Sequence, residues 1–313
     1  MNGTEPDNTA LRGFAFGISA YLMWGMFPFY MKAVEHVPAM EVVAYRVLCS
    51  IPVAGIIILW LGRTADLKKA FRSPRTLALA AVTAGLISIN WGIYVWAIAN
   101  DRTVETALGY YINPIVSILL GALFLGERFN RLQLAAILLA VAAVVILTIN
   151  AGGLPWVSLS LAFSFGFYGF FRKTLPIGPS QGFFLEVVLL SIPSLFVVLA
   201  LSAEGTGHFM AGNARDTWLL LMAGPVTAFP LILYALGAKM LRLSTIGLMQ
   251  YTAPTLIFLI AIFVFREPFS YWQLVAFCLI WLALALYSWS TIREVRNEAR
   301  AGKLRAVQEK ASG

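Results

Sequence analysis

Arg46 stands inside an apolar run from Met40 to Leu61. A guanidinium in hydrocarbon costs about 2.5 to 3.5 kcal/mol on insertion scales, so a chain that keeps one there turns it toward a polar interior. The chemistry it offers is the holding of an anionic group; the competing reading is a fixed ion pair within the bundle. Glu105, near one end of another apolar run, is the expected carboxylate partner, whereas Glu41, at the mouth of the Arg46 helix, is expected to be solvated. Glu186 lies in a further apolar run. A carboxylate there can exchange a proton, or it can be an interfacial group in water. Glu105 and Glu186 are therefore the candidate proton-coupling residues.

Other residues have hydrogen-bonding or stacking chemistry at helical spacing. Asn90, Trp91 and Tyr94 fall within about one turn and can share a face. Tyr110, Tyr111 and Asn113 follow Gly109 and precede Pro114, and Gln250 and Tyr251 precede Pro254. Proline removes a backbone donor and frees a carbonyl, which in hydrocarbon must find another partner. Trp24 and Tyr168 each stand before a glycine. Together with Arg46 and Glu105 these are the expected substrate-binding residues. For each, helix packing, kinking or an interfacial anchor is the alternative.

The elements that must position them are membrane helices. The chain is 60% hydrophobic and 12% charged, with a mean hydropathy of +0.80, against about a quarter charged in soluble domains. Ten apolar stretches have the length that helices rising about 1.5 Å per residue need to cross about 30 Å of hydrocarbon. In the first half they run Leu11 to Met31, Met40 to Leu61, Thr76 to Ala99, Val104 to Leu125 and Leu132 to Ile149. In the second they run Pro155 to Phe171, Gln181 to Ser202, Thr217 to Gly237, Ser244 to Phe265 and Tyr271 to Ser290. On this count Arg46 lies about 9 to 10 Å below its helix end. The first stretch lacks the basic flank and cleavage site of a secretory signal and is expected to stay as a helix.

The net charge of +8 reflects the positive-inside bias rather than nucleic-acid binding. With the N-terminus in the cytoplasm, eighteen of the 23 Lys and Arg, Arg172 among them, fall on the cytoplasmic side and four on the other. Both termini are expected inside, with residues 1–10 a short leading segment and 291–313 a basic tail able to meet anionic lipid. Cys49 and Cys278 sit in apolar stretches, where a thiol acts as a small apolar group. No phosphate loop, zinc-binding or nucleophile-elbow motif is present, so neither a cofactor nor a metal is expected, and an intramembrane enzyme has no catalytic constellation.

Sliding the chain by 140 residues aligns its halves without a gap from Tyr94 to Ala143. Tyr94/Tyr234, Arg102/Arg242, Tyr111/Tyr251, Pro114/Pro254, Glu127/Glu267 and Gln133/Gln273 match, which apolar composition alone explains poorly. Five crossings per half is an odd number, so the second copy enters the bilayer in the opposite direction. Residues 11–149 and 155–290 are the expected inverted repeats.

The stretches YLMWGMFPFYMK from Tyr21, VPAMEVVAYRVLCS from Val37, NWGIYVWAIAN from Asn90 and LGYYINPIVSILLGALFLGERF from Leu108 resemble RarD-type proteins, EamA members of the drug/metabolite transporter superfamily. AFSFGFYGFFRK from Ala162 and LRLSTIGLMQYTAPTLIFLIAI from Leu241 extend the resemblance over nearly all of Leu11 to Ser290. It implies an all-α polytopic fold of ten transmembrane helices in two repeats, a bacterial inner-membrane location and a permease. It supplies no substrate. Two departures stand out: Tyr45 precedes Arg46 where the family pattern has histidine, and Arg266 replaces, before Glu267, the glycine that precedes Glu127. The leading expectation is a secondary exporter of a small amino-acid-like or drug-like solute by alternating access, with protons as the coupling ion. A channel or a sensor is the alternative.

Overall fold

The computed structural model describes residues 7–100, 102–152, 156–264, 266 and 270–312, with side chains left undescribed at 7–8, 98–99, 103–104, 261 and 295–312. All regular structure among them is helical. The first half contains α1 (Asp7–Gly25), α2 (Phe27–Ala33), α3 (Ala39–Leu48), α4 (Ser50–Trp60), α5 (Thr64–Phe71), α6 (Pro74–Ala99), α7 (Thr103–Leu125) and α8 (Arg131–Asn150). The second contains α9 (Trp156–Thr174), α10 (Pro179–Ala203), α11 (Ala214–Met240), α12 (Leu243–Met249), α13 (Thr252–Phe263) and α14 (Tyr271–Ser312). This is an all-α polytopic membrane protein.

Nine segments among the described residues are long and apolar enough to cross a membrane. The tenth expected stretch, Pro155 to Phe171, falls on α9, which is not among them; Pro155 lies outside the described residues. The reason is composition. Serines, glycines, Tyr168 and the terminal Arg172 and Lys173 dilute the apolar residues of α9. That helix is ringed by α6, α7, α11 and α12, so much of its surface meets protein rather than lipid, and Ser158, Gly166 and Tyr168 are all buried.

Three expected crossings are broken. The first splits after Gly25, ahead of Pro28, and the second at Cys49, ahead of Pro52. In the ninth, Pro254 cannot donate to the Gln250 carbonyl, which accepts instead from Ala253 N at 3.1 Å, and the tightened turn separates α12 from α13. The matching interruption expected at Pro114 does not occur: α7 runs unbroken through it. Two further elements were not expected. The loop after the second crossing folds into α5, and α14 continues as helix through the expected tail to Ser312.

The pairing of helices follows a regular scheme. α1 packs on α11 as α9 packs on α6, and α7 packs on α9 as α1 packs on α12 and α13. α3 and α4 meet α10, α7 meets α12, and α8 meets α14. Four pairs of helices start 140 residues apart: α3 and α10, α6 and α11, α7 and α12, α8 and α14. Small residues permit the closest crossings: a Cβ on Gly247 would lie 2.6 Å from Ser117 Cβ, and one on Gly224 would strike the Cys49 carbonyl.

Candidate functional site

The approach of α11 at Gly224 sets up the site. Ser50 Oγ lies 2.5 Å from the Arg46 carbonyl and 3.2 Å from that of Gly224, tying the start of α4 to both helices. Arg46, one turn before Ser50, and Thr227, one turn beyond Gly224, are thereby brought together. Arg46 Nε donates to Thr227 Oγ1 at 3.0 Å. The guanidinium carbon lies 4.5 Å from the Trp91 ring centroid on α6 and 5.3 Å from that of Phe27 on α2. Such cation–π contacts are worth about 2 kcal/mol each when shielded from water. Tyr30, Tyr94 and Tyr110 are close enough to interact with the charge, and the rings of Tyr94 and Tyr110 are 6.2 Å apart.

Arg46 has no carboxylate within ion-pair distance among the described residues. The expected partner, Glu105, lies instead 3.5 Å from Arg102, one turn away on the chain. Consecutive turns of one helix start satisfy each other more readily than groups on separate helices. Its second oxygen, Oε2, is buried without a hydrogen bond. Glu41 is also corrected: it is 1% exposed, because His208 closes over it, with backbone N to Oε1 at 2.8 Å and ring Nδ1 to Oε2 at 2.9 Å. Beside it His36 Nε2 meets Asp216 Oδ1 at 2.9 Å, and the two imidazole rings are 6.1 Å apart. A cavity of about 220 Å³ opens here between Glu41, Tyr45, Val198, Ser202 and Phe209.

The remaining expected residues form two further groups. Trp24 and Tyr168 join an aromatic cluster with Tyr21, Phe165 and Tyr234, whose centroids lie 5.6 to 6.4 Å apart. At its edge Tyr168 donates to Glu186 Oε2 at 3.2 Å, and Arg172 Nη1 donates to Oε1 at 3.2 Å. Glu186 is 2% exposed and Arg172 1%. Arg172, expected as a cytoplasmic flank charge, is thus a member of the bundle, and its Nη2 also reaches the Pro179 carbonyl at 2.7 Å. A Cβ on Gly182 would strike its guanidinium, so that glycine makes room for it.

Asn90, Tyr111 and Tyr251 are engaged in joining helices. Asn90 donates to the Leu161 carbonyl at 3.0 Å and to Ser164 Oγ at 2.9 Å, linking α6 to α9. Tyr251 donates to the Tyr111 carbonyl at 3.0 Å. Gln250 is buried at the break before α13. Asn113 differs: it is 1% exposed, and neither amide atom has a partner. Sequence reasoning missed Thr227, Phe27, Tyr30, Tyr21 and Arg172. Only Tyr234 had a signal, its match to Tyr94 across the repeat.

The fold and this interior define a polytopic helical membrane protein with a basic group and aromatic rings enclosed between its helices. The comparisons with known proteins agree with that class. Residues 11–149 match the EamA-like transporter family. The chain is 39% identical to "Protein RarD" of Streptomyces exfoliatus, over 94% of this chain and 93% of that one. It is 40% identical to an uncharacterized transporter, YojE, of Bacillus subtilis strain 168, over 90% and 95%. A crystal structure of a protein 18% identical shares the fold, with a TM-score of 0.70 covering 92% of this chain and 99% of the other. This chain belongs to the EamA-like transporter family and is a RarD-type permease by descent.

Proposed function

We propose that this protein is a secondary transporter that carries a small solute with an anionic group outward across the bacterial inner membrane. The observation that carries the reading is Arg46: a guanidinium inside a candidate span, part exposed, flanked by Trp91 and Phe27 and without a carboxylate partner among the described residues. A fixed ion pair is disfavoured by the Arg102 contact that holds Glu105. Alternating access is supported by the exchange symmetry of the helix pairs, which we read as two inverted five-helix repeats with α9 as the sixth crossing. Both termini are read as cytoplasmic. Moving Arg172 into the bundle still leaves seventeen basic residues on that side.

Protons are the proposed coupling ion. Glu105 has an unpartnered oxygen toward one end of the bundle, and Glu186 sits with Tyr168 toward the other. The test is counterflow in proteoliposomes, screened with amino acids, nucleosides and amphenicols, with and without a pH gradient. Arg46→Ala is expected to abolish counterflow of every transported solute while the protein remains inserted. Counterflow at the wild-type rate in that variant removes Arg46 from the site. A rate indifferent to the pH gradient removes protons as the coupling ion.

A further inference from the structure

A guanidinium can receive a carboxylate along two edges, one formed by Nε with a terminal nitrogen and one formed by the two terminal nitrogens. Thr227 occupies the first. Its hydroxyl accepts from Arg46 Nε at 3.0 Å, and Thr227 itself is 1% exposed. Trp91, 4.5 Å from the guanidinium carbon, restrains tilting of the plane. Hydrogen bonding in the plane and stacking against it fix both rotations that a long side chain would otherwise sample. The terminal nitrogens make no hydrogen bond among the described residues and are not among the buried unpartnered atoms, while the residue stays part exposed.

The surroundings of Thr227 serve this placement. It lies between Pro225 and Pro230 on α11, where two missing donors loosen the helical ladder. Its hydroxyl reaches Arg46 across the two halves of the chain instead of bonding back to its own helix. Gly224, one turn earlier, allows the close approach of α11 on which that reach depends.

We infer that Thr227 is the positioning residue of the anion site: it holds Arg46 by Nε so that the two terminal nitrogens present an end-on fork to a solute carboxylate. The inference rests on the reading of Arg46 as an anion site. It adds that selectivity for the charged solute depends on a residue of the opposite half that need not touch the solute.

The test uses two isosteric probes, benzoate and benzamide, which differ in the carboxylate. Binding to the purified full-length protein is measured by titration calorimetry for wild type, Thr227→Val, Thr227→Ser and Arg46→Gln. Wild type is expected to favour benzoate, and Arg46→Gln to lose the preference. Thr227→Val keeps the shape but removes the acceptor, and is expected to lower the benzoate-to-benzamide affinity ratio by about tenfold, the loss of one charge-assisted hydrogen bond. Thr227→Ser restores the hydroxyl and is expected to keep the ratio within about twofold of wild type.

A packing role alone would weaken both probes together and leave their ratio unchanged. If Thr227→Val is not recovered folded, Thr227→Ala is read by the same ratio. A wild-type protein that does not favour benzoate overturns the anion site and the positioning role together. A wild-type preference that Arg46→Gln abolishes but the Val or Ala variant keeps overturns the positioning role alone.

Discussion

At the residue scale, the central feature is a charge held by rings and a hydroxyl rather than by a counter-charge. Arg46 has three kinds of neighbour, Thr227 in its plane, Trp91 and Phe27 against it, and tyrosines nearby. Lysine offers none of the planar fork. Arg46→Lys is therefore expected to keep the charge yet lower counterflow by about tenfold or more, the equivalent of one lost charge-assisted bond; undiminished counterflow would show that charge alone suffices. The Arg172–Glu186 pair is different, being nearly sealed from solvent. Glu186→Leu strands a buried guanidinium and is expected to cost about 3 to 5 kcal/mol, while Glu186→Leu with Arg172→Met costs much less. Thermal unfolding in detergent separates these outcomes, and equal losses would deny the coupling. Arg46 was legible because a charge in an apolar run has few explanations. Thr227 and Phe27 were not, since threonine and phenylalanine are ordinary in such runs. Arg172 was misplaced because, followed by Lys173, it has the pattern of a cytoplasmic flank.

At the element scale, the repeat is written more fully in the helix ends than in residue identity. Asn130 and Gln133 form a reciprocal capping box at the start of α8. At the equivalent place before α14, Ser270 N meets Gln273 Oε1 at 2.8 Å and Gln273 N meets Ser270 Oγ at 3.2 Å. The turn before each box keeps its backbone too. Gly126 has φ of 64° and Arg266, its counterpart, has φ of 56°. What reads in the sequence as a degraded motif is conformationally intact, with a side chain forced into the left-handed region. Arg266→Gly is expected to stabilise the protein by about 1 kcal/mol and Gly126→Ala to destabilise it by a similar amount. Ser270→Ala is expected to cost about 1 kcal/mol through the lost cap. Asn130→Ala should cost more, because Asn130 also donates to Ser290 Oγ at 2.7 Å and Glu294 Oε1 at 2.5 Å. Melting temperatures of the four variants check the order. The crossings themselves were legible from apolar length. The break at Gln250 without one at Pro114 was not, because a proline only frees a carbonyl, and neighbouring groups decide whether the helix bends or parts.

At the scale of the whole molecule, contacts between the halves gather at opposite ends of the bundle. At one end His36 and Glu41 of the first half meet Asp216 and His208 of the second. At the other, Glu127 of the first half accepts from Leu243 N at 2.6 Å and Ser244 N at 3.0 Å of the second. Glu267, the counterpart of Glu127, lies outside the described residues, as does Phe269. If the halves rock about a central site, each set of contacts must part in turn for the solute to pass. Cysteines replacing His36 and Asp216, with Cys49 and Cys278 changed to serine, can be joined by a short reducible bifunctional thiol reagent. The bridge is expected to stop counterflow, and its reduction to restore it. Cysteines replacing Glu127 and Ser244 test the other end in the same way. A carrier requires that either bridge be sufficient, because blocking one half of the cycle blocks the whole. Full counterflow with the His36–Asp216 position bridged would make that contact a static brace, and the moving surface would then have to be sought where α1 meets α11 and α9 meets α6.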